Sequence, residues 1–252
     1  ITDYPFDHNY LDSGTSKVHS VLKDNAGNLW IAIYQKGVMM IPAQPNSFKY
    51  IGYKSINKNI IGSNCITSLC RDHEGILWIG TDNDGIYGIT TELKQKVHYA
   101  PHDSPSSVPS TVFGLYEDSE HNLWFGSYTN GLGRLDKKTG QCSYLQNLTD
   151  KNGNRIQRVY DLVEDQDKRL WIATMGAGLF YYDLKTGQSV YDPKFNAATK
   201  KYKWISCLLY AGDNHLYVGT YDGIRCIDLS TDDFKTEEIL SRHIIHSLYE
   251  DP

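Results

Sequence analysis

Carboxylates gather most densely in "DHEGILWIGTDNDG", residues 72 to 85, where Asp82-Asn83-Asp84-Gly85 has the residue types of a calcium loop. Such a loop needs an acidic first ligand and a Glu at its twelfth position. With Asp82 and Asp84 in third and fifth place, those positions fall on Gly80 and Thr91, and Glu92 misses by one residue. The spacing fails the calcium loop. No H-E-x-x-H, G-x-S-x-G or P-loop occurs, and the nine His are dispersed. The five cysteines, Cys65, Cys70, Cys142, Cys207 and Cys226, include no C-x-x-C pair and are expected to be mostly free and buried. No metal and no cofactor are expected. Recognition chemistry remains. Tyr34, Tyr128, Trp204 and Tyr221 offer flat apolar faces to sugar rings, and Asp82, Asn83, Asn130 and Asp222 offer partners for hydroxyls. Arg155, Arg158, Lys203 and Arg242 add cations suited to sulfate or carboxylate groups.

Elements that hold such residues must come from a chain of 252 residues with net charge −5, 12% aromatics, 19 Tyr and 21 Gly. That composition suits short strands and tight turns. With no basic run, nucleic acid is not an expected partner. No stretch approaches the roughly 18 apolar residues of a membrane helix, and the first residues lack a signal-peptide pattern, so the chain as given is expected to be soluble.

An internal repeat organises the chain. Trp30, Trp78, Trp124, Trp171 and Tyr217 are separated by 48, 46, 47 and 46 residues. Twelve residues before each stands a β-branched residue: Val18, Ile66, Val112, Val159 and Ile205. Six before stands Asp24, Asp72, Asp118 or Asp165, with Ala211 breaking the series. A small residue follows at the second position (Ala32, Gly80, Gly126, Ala173, Gly219), and a Gly closes the next loop (Gly37, Gly85, Gly131, Gly178, Gly223). Four strands in about 47 residues, in tandem, is the signature of a β-propeller blade. The expected fold is all-β: a propeller of four-stranded antiparallel blades, with five complete repeats and partial blades at both ends. "IIHSLYEDP" at 244 to 252 repeats a first strand, so residues 1–252 are expected to be a single propeller domain, or a propeller fragment of a longer multidomain protein.

Residue types that recur in every repeat serve packing or turning, so binding is expected where repeats differ. Loops between second and third strands share one end of the blades with the links between blades, and all twelve residues named above for recognition fall there. A hydrolase or lyase would need converging carboxylates, with Asp82, Asp84 and Asp222 the candidates. The D-x-x-G turn differs from the Asp-box of sialidases, which places Gly two residues after Asp rather than three. A protein-interaction propeller is the blander alternative.

The unit "VFGLYEDSEHNLWFGSYTNGLGRLDKKTG" resembles the two-component regulator propeller repeat, as do "ITSLCRDHEGILWIGT" and "IIHSLYED". The resemblance implies the non-enzymatic, periplasmic sensor region of a hybrid two-component system of the Bacteroidetes type. Its ligand would be an oligosaccharide, acidic ones included. The full-length protein would be a homodimer, attached to the membrane and to a kinase through segments outside this chain.

Overall fold

In the computed structural model the described residues are 18–33, 37–41, 43, 61–63, 65–90, 94–150, 152–191, 204–231 and 234–250. Tyr34 and Lys203 lie outside them. Every regular element among the described residues is a β-strand, and no helix there is long and apolar enough to cross a membrane. The chain divides into two units, Ile1–Gly62 and Ser63–Pro252.

In the first unit, β1 (Val18–Lys23), β2 (Leu29–Ile33) and β3 (Gly37–Ile41) form an antiparallel sheet. The expected fourth strand falls outside the described residues. The second unit holds four four-stranded antiparallel sheets, each with its strands in sequential order. They are β4 (Ile66–Arg71), β5 (Leu77–Thr81), β6 (Ile86–Ile89) and β7 (Gln95–Tyr99); then β8 (Val112–Glu117), β9 (Leu123–Ser127), β10 (Leu132–Leu135) and β11 (Cys142–Tyr144). Next come β12 (Val159–Glu164), β13 (Arg169–Thr174), β14 (Leu179–Asp183) and β15 (Gln188–Tyr191), and last β16 (Ile205–Ala211), β17 (His215–Thr220), β18 (Gly223–Asp228) and β19 (Lys235–Ser241). These are the blades of a β-propeller, numbered one to five from the repeat.

The turn joining the first two strands is built alike in blades one to four. Asp72 accepts the Ile76 amide at 2.8 Å through Oδ1, while Gly75 sits at φ 81°. The same left-handed place is taken by His121 (φ 67°), Lys168 (φ 69°) and, in blade five, Asn214 (φ 69°). The second oxygen of each turn Asp accepts the Trp indole N–H six residues on: Asp24 from Trp30 and Asp72 from Trp78 at 2.8 Å, Asp118 from Trp124 and Asp165 from Trp171 at 2.7 Å. A hydrogen bond to an ionised carboxylate contributes about 1.5–3 kcal/mol beyond the burial of the ring. This pairing explains why blade five loses both partners together, with Ala211 in place of Asp and Tyr217 in place of Trp.

Apolar cores lie between blades. Trp78 packs with Val112, Leu115 and Phe125 of blade three, Trp124 with Val159 and Leu162 of blade four, and Trp171 with Ile205 and Leu208 of blade five. The three indoles are 2, 3 and 0% exposed; Trp30, in the first unit, is 40% exposed and donates the same hydrogen bond to its turn Asp. In the second unit Gly80, Gly126 and Gly219, each two residues after the aromatic of its blade, lie where the chain that follows crosses. A Cβ on Gly126 would meet the Val159 carbonyl oxygen at 2.5 Å. At Gly219 it would meet Ile245 Cγ2 at 2.9 Å, and Ile245 N donates to Thr220 O at 3.0 Å. Residues 244–250 therefore occupy the place of a sixth first strand, as the repeat implies.

Candidate functional site

A β-bulge at the start of every first strand shapes the site. Register shifts after Val18, Ile66, Val112, Val159 and Ile205, leaving His19, Thr67, Phe113, Tyr160 and Ser206 without partners on the second strand. A bulged residue is free to aim its side chain away from the sheet. In blades three and four this residue is aromatic, and the Phe113 and Tyr160 rings stack at 4.2 Å and 19° across the blade boundary.

The loop end of the blades closes round this pair. Tyr128, from the β9–β10 loop, meets Phe113 edge-on at 6.0 Å, and the Arg158 guanidinium lies 5.0 Å above the Tyr128 ring. In blade five Trp204 and Tyr221 form a second edge-to-face pair at 5.8 Å. Trp204 bridges to Met175 of blade four, and Met175 N donates to Arg158 O at 3.0 Å, so loops and links share one surface as the repeat requires. Burial pushes the Tyr160 phenol above its ordinary pKa, as do nearby Tyr221 and Tyr128; Arg158 opposes them and Asp82 adds to the rise. Five of the expected residues, Asp82, Tyr128, Arg158, Trp204 and Tyr221, thus gather about a residue the sequence reading passed over. Tyr128, Trp204 and Tyr221 are 42, 44 and 41% exposed, which leaves ring faces open to a ligand.

Asp82 enters the rim by its backbone pairing with Thr111, whose hydroxyl donates to Asp82 Oδ1 at 2.7 Å. Asn83 adopts φ 88°, with its N–H bonded to Ser110 O at 2.9 Å and its side chain exposed. Asp84 turns inward instead: it accepts the Tyr87 hydroxyl, and its carbonyl bonds His98 Nε2 at 2.9 Å. Asn130 and Arg155 form a group of their own, with Arg155 Nη2 donating to Asn130 O at 3.1 Å and the Asn130 side chain bonding the Tyr144 phenol. Asp222 and Arg242 are joined by a backbone bond of 3.1 Å at the outer edge of blade five, where Arg242 sits at φ 62°.

Phe113 and Tyr160 were hidden because each lies inside an apolar first strand, "VFGLYED" or "VYDLVED", and reads as packing. The available signal was positional: their place holds His, Thr, Phe, Tyr and Ser in the five blades, while the place before it is Val or Ile in every one. All five cysteines are free, three of them buried and Cys65 exposed.

The two-component regulator propeller family matches residues 60–83, 106–129 and 153–176, each spanning a link, first strand, Asp turn and second strand. The chain carries two-component regulator propeller repeats. In structural terms, a regulator propeller repeat here is the Asp–Trp hydrogen bond, the left-handed turn residue and the bulged first strand. Among solved structures, the chain is similar to the extracellular domain of the hybrid two component system BT3049 from B. thetaiotaomicron, with 22% identity and TM-score 0.67 over 87% of this chain and 28% of that one. The extracellular domain of the hybrid system BT4673 from the same organism gives 21% identity and TM-score 0.60, over 87% and 30%. The β-propeller domain of Cps50 (Swd1) from Myceliophteria thermophila gives 17% and 0.53, over 75% and 60%. The chain spans under a third of the first two structures, and these likenesses concern the propeller fold. No curated protein matches the sequence.

Proposed function

We propose that the loop end of blades two to five binds an oligosaccharide without cleaving it, as the sensor part of a hybrid two-component system whose kinase lies outside this chain. The observation that carries this reading is the Phe113, Tyr160, Tyr128, Trp204 and Tyr221 cluster, with Arg158 and Asp82 at its rim. Aromatic faces stack on the apolar faces of sugar rings, and Arg158 suits an acidic sugar. The extracellular domains similar in fold support an extracytoplasmic location; on this reading the domain is periplasmic and the full-length protein is a homodimer, attached to the membrane through other segments.

A hydrolase or lyase reading has less support. Its candidate acids are engaged separately: Asp82 with Thr111, Asp84 with Tyr87, and Asp222 in the turn of blade five, where its N–H bonds Thr220 Oγ1 at 3.1 Å. Incubation with a polysaccharide and oligosaccharide panel separates the two, read as thermal stabilisation and as new reducing ends. Stabilisation without product supports the sensor reading, and product formation would sink it.

A further inference from the structure

The turn end of the blades, opposite the aromatic cluster, holds a triangle of three side chains at the boundary of blades two and three and again at that of blades three and four. One vertex is the residue after the turn Asp, the second is the residue immediately before the next turn Asp, and the third is the left-handed residue of that next turn. Between blades three and four the triangle is Ser119, Glu164 and Lys168; Glu164 accepts both the Ser119 amide at 2.6 Å and its hydroxyl at 2.5 Å, and Lys168 Nζ lies 3.4 Å from Glu164 Oε1. Between blades four and five, Gln166 Nε2 bonds Asn214 Oδ1. Between blades two and three the same places hold His73, Glu117 and His121.

The triangle of blades two and three has the donors of a transition-metal site. Glu117 Oε2 accepts the His73 amide at 2.6 Å, which fixes the carboxylate as in the neighbouring boundary. Its other oxygen lies 2.8 Å from His73 Nδ1, and the His121 ring stacks on that of His73 at 3.7 Å. One ligand atom from each of the three falls within 4.8 Å of the others. Two ligands of a tetrahedral zinc stand about 3.3 Å apart, given bonds of about 2.0–2.1 Å, so the existing His73 and Glu117 pair needs to open by roughly 0.5 Å. The imidazoles face a groove of about 1000 Å³ that also borders Lys96 and Arg134, which admits an ion and the water that would complete its coordination. His73 is 42% exposed at its side chain and Glu117 9%, an arrangement of one anchored ligand and two adjustable ones.

Two features decide between a metal and a chance cluster. His121 holds φ 67°, a place where blades one and two use Gly, so the turn itself gains nothing from an imidazole. The competing cation is Lys137, whose Nζ contacts Glu117 Oε1 and lies 3.2 Å from Asp72 Oδ2. Asp72 is the buried turn acid, so the ammonium retains a carboxylate partner when Glu117 turns to a metal.

We propose that His73, Glu117 and His121 bind a divalent transition metal of the zinc class, joining blades two and three at the turn end. Neutral imidazole and carboxylate are the donor set zinc takes, and with His73 on blade two and Glu117 and His121 on blade three, binding would staple the two blades together.

The test is calorimetric titration of tag-free protein with zinc chloride, in a Cys65→Ser background that removes the exposed thiol, with melting followed in parallel. One zinc per chain should bind and raise the melting temperature, since a ligand of the folded state alone stabilises it. His73→Ala and His121→Gly should each weaken binding by more than roughly tenfold, the loss found for even an outer-shell partner. Gly suits φ 67° better than His, so His121→Gly keeps the fold and isolates the ligand's loss. Absence of saturable zinc binding by the parent protein, or binding by either variant as tight as the parent's, overturns the site.

Discussion

The Phe113 and Tyr160 rings stack at 4.2 Å across the boundary of blades three and four, each projected by a bulge that recurs in every first strand. A structural device common to all blades thus presents different side chains in each, and it does so beside the loops that vary most. If this pair forms the floor of the ligand site, Tyr160→Ala should weaken oligosaccharide binding by about tenfold, since ring pairs contribute about 0.5–1.5 kcal/mol beyond their buried area. Asn130→Ala, in the separate Tyr144 group, should leave affinity within about twofold. Titration of both variants with one panel-selected ligand checks this.

The Asp–Trp bond predicts coupled stability effects. Trp124→Phe should cost about 1.5–3 kcal/mol, because Asp118, 2% exposed, loses a charge-assisted donor. In a cycle with Asp118→Ala, the double variant should cost less than the sum of the singles. Urea midpoints measure both, and simple additivity would contradict the pairing.

Gly126→Ala should destabilise by about 1–3 kcal/mol, because the new methyl would meet Val159 O at 2.5 Å where blade four crosses. Gly176→Ala differs in cause: nothing lies within 4 Å of the added carbon, and its cost comes from φ 100° alone. Thermal melting of the two variants, with Gly153→Ala as a second open-space control at φ 80°, separates packing from backbone strain.

Asp161 gives a pH dependence of definite sign. Its carboxylate accepts Leu208 N of blade five at 2.8 Å and its neighbour Leu162 N at 2.9 Å, yet burial raises its pKa from 3.8 to about 6. The folded state then holds a proton that the unfolded state has released between those values, so stability falls as pH rises through that window. The deficit above it is on the order of 3 kcal/mol. Asp161→Asn keeps an acceptor for Leu208 and should be more stable than the parent at pH 7, with the advantage disappearing by pH 4. Denaturant titrations across that range read the difference directly.

The blades were legible in the sequence because a 12-residue step from β-branched start to Trp, with Asp midway, fixes strand, turn and strand by local chemistry. The small residue two places after each aromatic followed from the same register, whereas the crossing that requires it at Gly126 is a contact between blades that no local pattern records. Tyr128, Trp204 and Tyr221 were legible as loop residues on one end. Phe113 and Tyr160 were not, since a bulge changes which way a strand residue points without changing its hydrophobicity. Nor was the meeting of His73 and His121, which stand 48 residues apart and touch only because successive turns stack. The linked loss of Asp and Trp in blade five needed the hydrogen bond itself to be seen.

Ligand recognition at the loop end is tested most directly by probing an oligosaccharide array with the parent protein and with a Tyr128→Ala/Tyr160→Ala double variant. The account predicts that the parent retains a defined subset of glycans, and that the folded double variant retains none of them. Retention of the same glycans by both proteins, or of none by the parent, would contradict it.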